Sequence, residues 1–119
     1  IGALLDALAF FLRDRRDFGV HTEMFSAGVL ELMKMGVVTG ANKKIDRGRV
    51  VASFLLGTKD FYEYVDFNRS ILMMDIGYVN DPFIIAKSVR TRLSEIKKNL
   101  MICDVQSLYR VRNMMYSQK

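Results

Sequence analysis

Between Arg49 and Leu56 the chain carries Val50, Val51, Phe54, Leu55 and Leu56, a run that would be apolar on both faces of a strand. Such a strand cannot turn one side to water and belongs in a sheet covered on both faces, the usual state of parallel sheets. The flanking segments agree. Phe18 to Glu23 reads as a short strand, and Val29, Leu30, Leu32 and Met33 have helical spacing, with Gly36 placed as the left-handed residue that ends the helix. Gly40 to Lys44 and Asp46 to Gly48 are turn chemistry. Thr58 is a candidate cap for a helix through Asp66, Ile71-Leu72-Met73-Met74-Asp75-Ile76 is a third strand candidate, and Asp81-Pro82 has the N-cap and first-position residues of a helix start. Strands alternating with helices at this spacing predict an α/β layer with a mostly parallel sheet. Chemistry in such sheets sits where strands end and helices begin. Glu23 stands at the end of the first predicted strand, just before Ser26, Ala27 and Gly28.

The 119 residues suffice for one ordinary domain, and half of them are apolar, which suits a packed core and argues against disorder. The opening segment from Ala3 to Leu12 is apolar almost all round, predicting a helix buried on most sides that stops at the charged run 13–17. That run follows at once, with no small-residue cleavage site, so the pattern is not that of a signal peptide. No apolar stretch approaches the roughly 20 residues needed to cross a bilayer. The single cysteine, Cys103, allows no internal disulfide and fits a reducing compartment, so the expected location is cytoplasmic. Ile1 rather than a methionine stands first, so the expectation is a piece of something longer.

The formal charge of +5 is uneven: residues 1–87 hold 11 Lys/Arg and 11 Asp/Glu, whereas residues 88–119 hold 7 and 2. This step divides the chain into a neutral part, 1–87, and a basic tail, 88–119. In the tail, Val89, Leu93, Ile96, Leu100 and Cys103 recur at spacings of four and three, and Leu108, Val111 and Met115 resume the pattern after a slip, predicting an amphipathic helix with a basic outer face.

One histidine and one cysteine cannot build a zinc cluster, and the nucleophile-elbow, dinucleotide and P-loop patterns are all missing from the sequence. His21 lies two residues before Glu23 and in a strand shares its face. On the residues alone, a solvated glutamate and an ordinary strand histidine describe both positions.

The wording of the sequence adds more. His21-Thr22-Glu23-Met24-Phe25-Ser26-x-Gly28-Val29 resembles the active-site segment of the acetyl-CoA hydrolase/transferase family, in the branch of the 4-hydroxybutyrate and butyryl-CoA:acetate CoA-transferases. The same branch is matched by Gly36-Val37-Val38-Thr39, Val51-Ala52-Ser53-Phe54-Leu55-x-Gly57-Thr58-Lys59, Phe61-Tyr62, Val65-Asp66, Asn68 and Tyr78-Val79-Asn80-Asp81-Pro82, in the family's order across residues 1–87. It departs at Leu5, where relatives usually carry proline, and at Ala27, where they usually carry aspartate.

The resemblance implies a partial CoA-transferase domain of the NagB/RpiA-like α/β fold, with Glu23 as the nucleophile. It implies weaker substrate or CoA contacts at Gly2, His21, Gly57, Thr58 and Lys59, no metal and no permanently bound cofactor. Coenzyme A would be substrate and covalent thioester intermediate, and the partners would be acyl-CoA and short-chain carboxylates. No nucleic acid or membrane is expected, and the full-length enzyme is expected to be a homo-oligomer. A glycine loop and an N-terminal half on which the family's site depends are not matched, so the chain alone is expected to be inactive or nearly so, with apolar strands left uncovered. After Lys87 the resemblance stops. The tail then reads as a frameshifted or misassembled end, as a lineage-specific helix packed on the sheet, or as a basic helix that binds nucleic acid, an acidic membrane or a partner; the last gives the competing function, a non-catalytic binding or regulatory protein.

Overall fold

A computed structural model describes residues 10–89, 101–103 and 113 of the chain. Its centre is a parallel sheet. Strand β1 (Gly19–Ser26) leads into helix α1 (Ala27–Lys34), and β2 (Val50–Leu56) into α2 (Lys59–Val65). Then follow β3 (Ile71–Met73), the short α3 (Ile76–Val79), α4 (Pro82–Val89) and β4 (Met101–Cys103). The sheet order is β3-β2-β1-β4, with every pair parallel. The α/β class and the parallel sheet expected from the apolar run at Val50 are therefore present.

Both faces are covered over Val50–Ala52, as the run requires, whereas Phe54 and Leu56 at the end of β2 are exposed, contrary to that expectation. Val20, Val50 and Ala52 join Val29, Leu30, Leu32 and Phe61 in the main core under α1 and α2. On the other face α3 packs on β1 and β2, where His21, Val51, Val79 and Ile85 are fully buried. Helix α1 ends as predicted. Gly36 takes φ +71°, its N–H bonds the Met33 carbonyl at 3.0 Å, and the Val37 N–H bonds the Leu32 carbonyl at 2.9 Å. That is the paired bonding of a Schellman motif, which satisfies carbonyls the helix end would otherwise strand. Helix α4 also starts as predicted: Asp81 Oδ1 accepts from the Phe83 and Ile84 N–H groups at 2.7 and 3.2 Å.

Four further expectations need correction. The first strand runs to Ser26, three residues beyond Glu23. The third stops at Met73, because Asp75 turns away to cap α3, its Oδ1 accepting from the Tyr78 N–H at 3.2 Å. Of the opening apolar segment, Phe10 and Phe11 are exposed, with the Arg13 guanidinium stacked over the Phe10 ring at 4.4 Å, and Leu12 packs on the core; the predicted helix before Phe10 lies outside the described residues. Finally, Met101–Cys103 is extended and pairs with Gly19–His21, whereas the spacing predicted helix there. Three apolar residues suit either state, and the outer edge of β1 offers N–H and C=O groups that a strand satisfies. Val89 ends α4; the rest of the predicted tail helix lies outside the described residues, apart from Asn113.

Strand β1 does not alternate regularly. Phe25 lies an odd number of residues from Val20, yet its ring packs on Phe61, 5.2 Å between centroids, and both belong to the main core. Leu55, its register partner, packs against the same core as Ala52. Thr22 Oγ1 also donates to the Met24 carbonyl at 3.2 Å. In a regular strand residues i and i+2 are about 6.6 Å apart, too far for that bond. Both strands therefore change face at one row, which contains Glu23.

Gly57 closes the β2–α2 turn against the same core. A Cβ there would collide with the Phe61 ring and lie 2.7 Å from the Phe61 Cβ. Gly57→Ala should cost about 1–3 kcal/mol in urea unfolding, the usual range for overpacking, and little once Phe61 is also Ala. Gly36→Ala has open space around it and should cost about 1 kcal/mol from its positive φ alone. Equal penalties for Gly57→Ala with and without Phe61 would show that the ring does not set the requirement.

Candidate active site

Two strand residues and one segment meet above the kink. His21 on β1 is fully buried, and its Nε2 lies 2.8 Å from the Val79 carbonyl. A carbonyl only accepts, so Nε2 carries the proton that is donated. Two residues on, half-buried Glu23 accepts at Oε2 from Asn80 Nδ2 at 3.1 Å. Asn80 is itself buried. Consecutive residues of the segment after β3 thus hold the two β1 residues that the sequence singles out: Val79 by its backbone and Asn80 by its amide.

A third neighbour anchors that segment. The Tyr78 hydroxyl donates to Asp46 Oδ2 at 2.8 Å, and the Tyr78 ring lies 6.2 Å from that of His21. Asp46 sits in the turn between α1 and β2 at a positive φ of 50°. The same turn is fastened from below by Lys43, which is buried and donates from Nζ to the Val20 and Arg49 carbonyls at 3.2 and 2.9 Å. Burial of an ammonium requires such partners. Lys43 therefore ties the start of β2 to β1, upstream of Glu23.

The weaker sequence candidates have local roles. Gly57 is needed by the Phe61 ring. Thr58 is the N-cap residue of α2 without a side-chain capping bond, and Lys59, 88% exposed, pairs with Glu63 at 3.7 Å along the helix. The register places Ser26 beside Leu56, so residues 57–59 begin four rows beyond Glu23, about 13 Å along the strands. They share the C-terminal rim of the sheet with Glu23 without adjoining it. Gly2 lies outside the described residues. Asn80 is the residue that the sequence reading overlooked as a site candidate: its block Tyr78-Val79-Asn80-Asp81-Pro82 reads as the approach to a helix.

No family model matches the chain. Individual proteins do. The 4-hydroxybutyrate coenzyme A transferase of Clostridium kluyveri is 41% identical over 88 residues, covering 74% of this chain and 20% of that protein. The butyryl-CoA:acetate CoA-transferase of Anaerostipes caccae is 37% identical over 83 residues, covering 68% of this chain and 19% of that protein. The crystal structure of RipA from Yersinia pestis superposes with a TM-score of 0.69 at 42% identity, over 73% of this chain and 20% of that one. The chain is a relative of the CoA-transferases. It spans about a fifth of the length of the curated relatives it matches. The resemblance to the CoA-transferases read from the sequence is thus shown by identity and by fold. Among the described residues, no helix is long and apolar enough to cross a membrane, and no group of three His, Cys, Asp or Glu side chains could hold a metal ion.

The Tyr78–Asp46 pair can be read by titration. Burial, then the hydrogen bond to Asp46 and its negative charge, push the Tyr78 hydroxyl up from 10.0 to about 12. The folded state holds this proton more tightly than the unfolded chain. The stabilisation is therefore complete below pH about 10 and is lost as the pH rises toward 12. A late step should appear in the phenolate absorbance, and Tyr78→Phe should remove that step. A late step that survives Tyr78→Phe belongs to another tyrosine.

Proposed function

We propose that the chain carries the nucleophile of a CoA-transferase, and that Glu23 passes coenzyme A from a butyryl- or 4-hydroxybutyryl-type acyl-CoA to acetate through a glutamyl–CoA thioester. The observation that carries this reading is the Glu23 carboxylate held by the Asn80 amide at 3.1 Å on a parallel strand, within a segment related to CoA-transferases. Most strand glutamates point into water without a fixed partner.

In the proposed reaction a Glu23 oxygen attacks the thioester carbonyl and expels CoA thiolate, leaving an acyl-glutamyl anhydride. The thiolate attacks the glutamyl carbonyl and releases the acyl group as its carboxylate. An incoming acetate reverses both steps and leaves as acetyl-CoA. A carboxylate suits this exchange because the glutamyl–CoA thioester it forms has about the energy of the substrate thioester, so the CoA is passed on without net hydrolysis. Asn80 fixes the direction in which the carboxylate faces, which is a large share of what an enzyme contributes to such an attack. His21, through Val79, holds the backbone that positions Asn80. The CoA handle would extend along the rim toward Gly57, Thr58 and Lys59. In the cytoplasm, with the remaining four-fifths of the relatives' length supplied, the segment would act within a homo-oligomeric enzyme.

The test is covalent labelling. The purified chain, incubated with excess butyryl-CoA and trapped with hydroxylamine or borohydride, should gain one modification, mapped by mass spectrometry to Glu23. Multiple turnover with acetate is not expected from the chain alone. Glu23→Gln should abolish labelling, and Asn80→Ala should slow it about tenfold, a typical loss for a hydrogen bond to a charged group. Labelling that persists in Glu23→Gln, or that never occurs, rejects the assignment.

A further inference from the structure

A buried hydroxyl without a hydrogen-bond partner is uncommon and calls for a reason. Ser53 on β2 has one: its Oγ is closed off from solvent and has no partner among the described residues. Its position is informative. Thr22 pairs with Ala52 and Met24 with Phe54, so the residue opposite Glu23 is Ser53. Neighbouring strands run about 4.8 Å apart, and residues opposed in a parallel pair project to the same side. The partnerless hydroxyl and the candidate nucleophile are thus cross-strand neighbours, on the row where both strands change face. Strand packing does not call for a hydroxyl there, since Val51, Ala52, Phe54 and Leu55 around it are all apolar. Ser26 and Ser88 also bury partnerless hydroxyls, but neither stands opposite Glu23.

We propose that the Ser53 Oγ–H donates to the glutamyl carbonyl oxygen of Glu23 during CoA transfer; this rests on Glu23 being the nucleophile. In the acyl-glutamyl anhydride one carboxyl oxygen bridges to the acyl group and the other is a carbonyl. When the CoA thiolate attacks Glu23 Cδ, the sulfur–carbon bond forms and the carbonyl oxygen takes the negative charge. As the carbonyl re-forms, the bridging carbon–oxygen bond breaks and its electron pair leaves with the product carboxylate. No proton changes hands. A donor that is already out of water has no hydration to surrender as the charge grows, so its bond is stronger in the transition state than before it.

The experiment follows Glu23 labelling by butyryl-CoA in the full chain over a range of acyl-CoA concentrations. Ser53→Ala should lower the limiting rate about 100-fold, the usual loss on removing one oxyanion donor, with the half-saturating concentration unchanged. Ser53→Thr, which keeps the hydroxyl, should stay within a few-fold of the unmodified chain, and circular dichroism should show both variants folded. A Ser53→Ala rate equal to that of the unmodified chain, with Glu23→Gln unlabelled, overturns the role of Ser53 and leaves the nucleophile standing. Equal losses in Ser53→Ala and Ser53→Thr assign the effect to packing and overturn it too. If the unmodified chain is never labelled at Glu23, the nucleophile assignment fails and takes this proposal with it.

Discussion

Every feature of the candidate site depends on the pairing of β1 with β2. It is a parallel pair, so its register is fixed by what lies on the two faces and not by a connecting turn. Val20, Val50 and Ala52 must reach the core under α1 and α2, while His21 and Val51 must reach the layer under α3. A slip of one residue would exchange these sets and bury Glu23 among Leu30 and Leu32. The register also decides which residues stand beside Glu23, namely Thr22 and Met24 along the strand and Ser53 across it. The kink then limits the rule to the first half of each strand. Beyond the Glu23 row, Phe25 and Leu55 return to the main core against Phe61, and the strands present a different side to the rim.

The segment from Asp75 to Pro82 is the second fixture, and it gains its shape from local capping. Asp75 caps α3 and Asp81 caps α4, so two helix starts lie within seven residues. The stretch between them has little freedom left. Three of its residues then act at a distance: Tyr78 on Asp46, Val79 on His21 and Asn80 on Glu23. Because the three are consecutive, disturbing one contact strains the other two. The buried Lys43 works in the same sense from the opposite end of the sheet, holding the 40–48 turn that carries Asp46.

The parts of this arrangement legible in the sequence are those with a local physical cause. Apolar faces on both sides of Val50–Leu56 imply a covered strand, Gly36 after an apolar helical face implies a left-handed helix end, and Asp81-Pro82 implies a helix start. Each is decided within a few residues. What was not legible is decided elsewhere in the chain. Asn80 and Glu23 are 57 residues apart, and no local pattern marks their contact. The kink at Glu23 leaves no periodic trace, because Met24 and Phe25 are both apolar and satisfy either phase of the alternation. Asp75 looks the same at the end of a strand as at the start of a helix. Lys43 reads as a surface lysine, since nothing nearby announces the Val20 and Arg49 carbonyls that accept hydrogen bonds from it.

The rim around the Glu23 row shows what the fold asks of its surroundings. Phe54 (45% exposed), Leu56 (58%), Met73 (43%) and Ile76 (49%) all lie on the stretch where the strands finish or just beyond it. Among the described residues β3 is the outermost strand of the sheet on that side. Apolar side chains of this size gathered at one rim favour cover by protein rather than by water. In the reaction proposed for Glu23 that cover would have chemical weight, because a water molecule reaching the anhydride or thioester would turn transfer into hydrolysis. The residues that hold Glu23 in place, Asn80 and the His21–Val79 bond, come from this chain; the exclusion of water depends on what closes over Phe54, Leu56 and Met73. Positioning and shielding are thus separable in this fold.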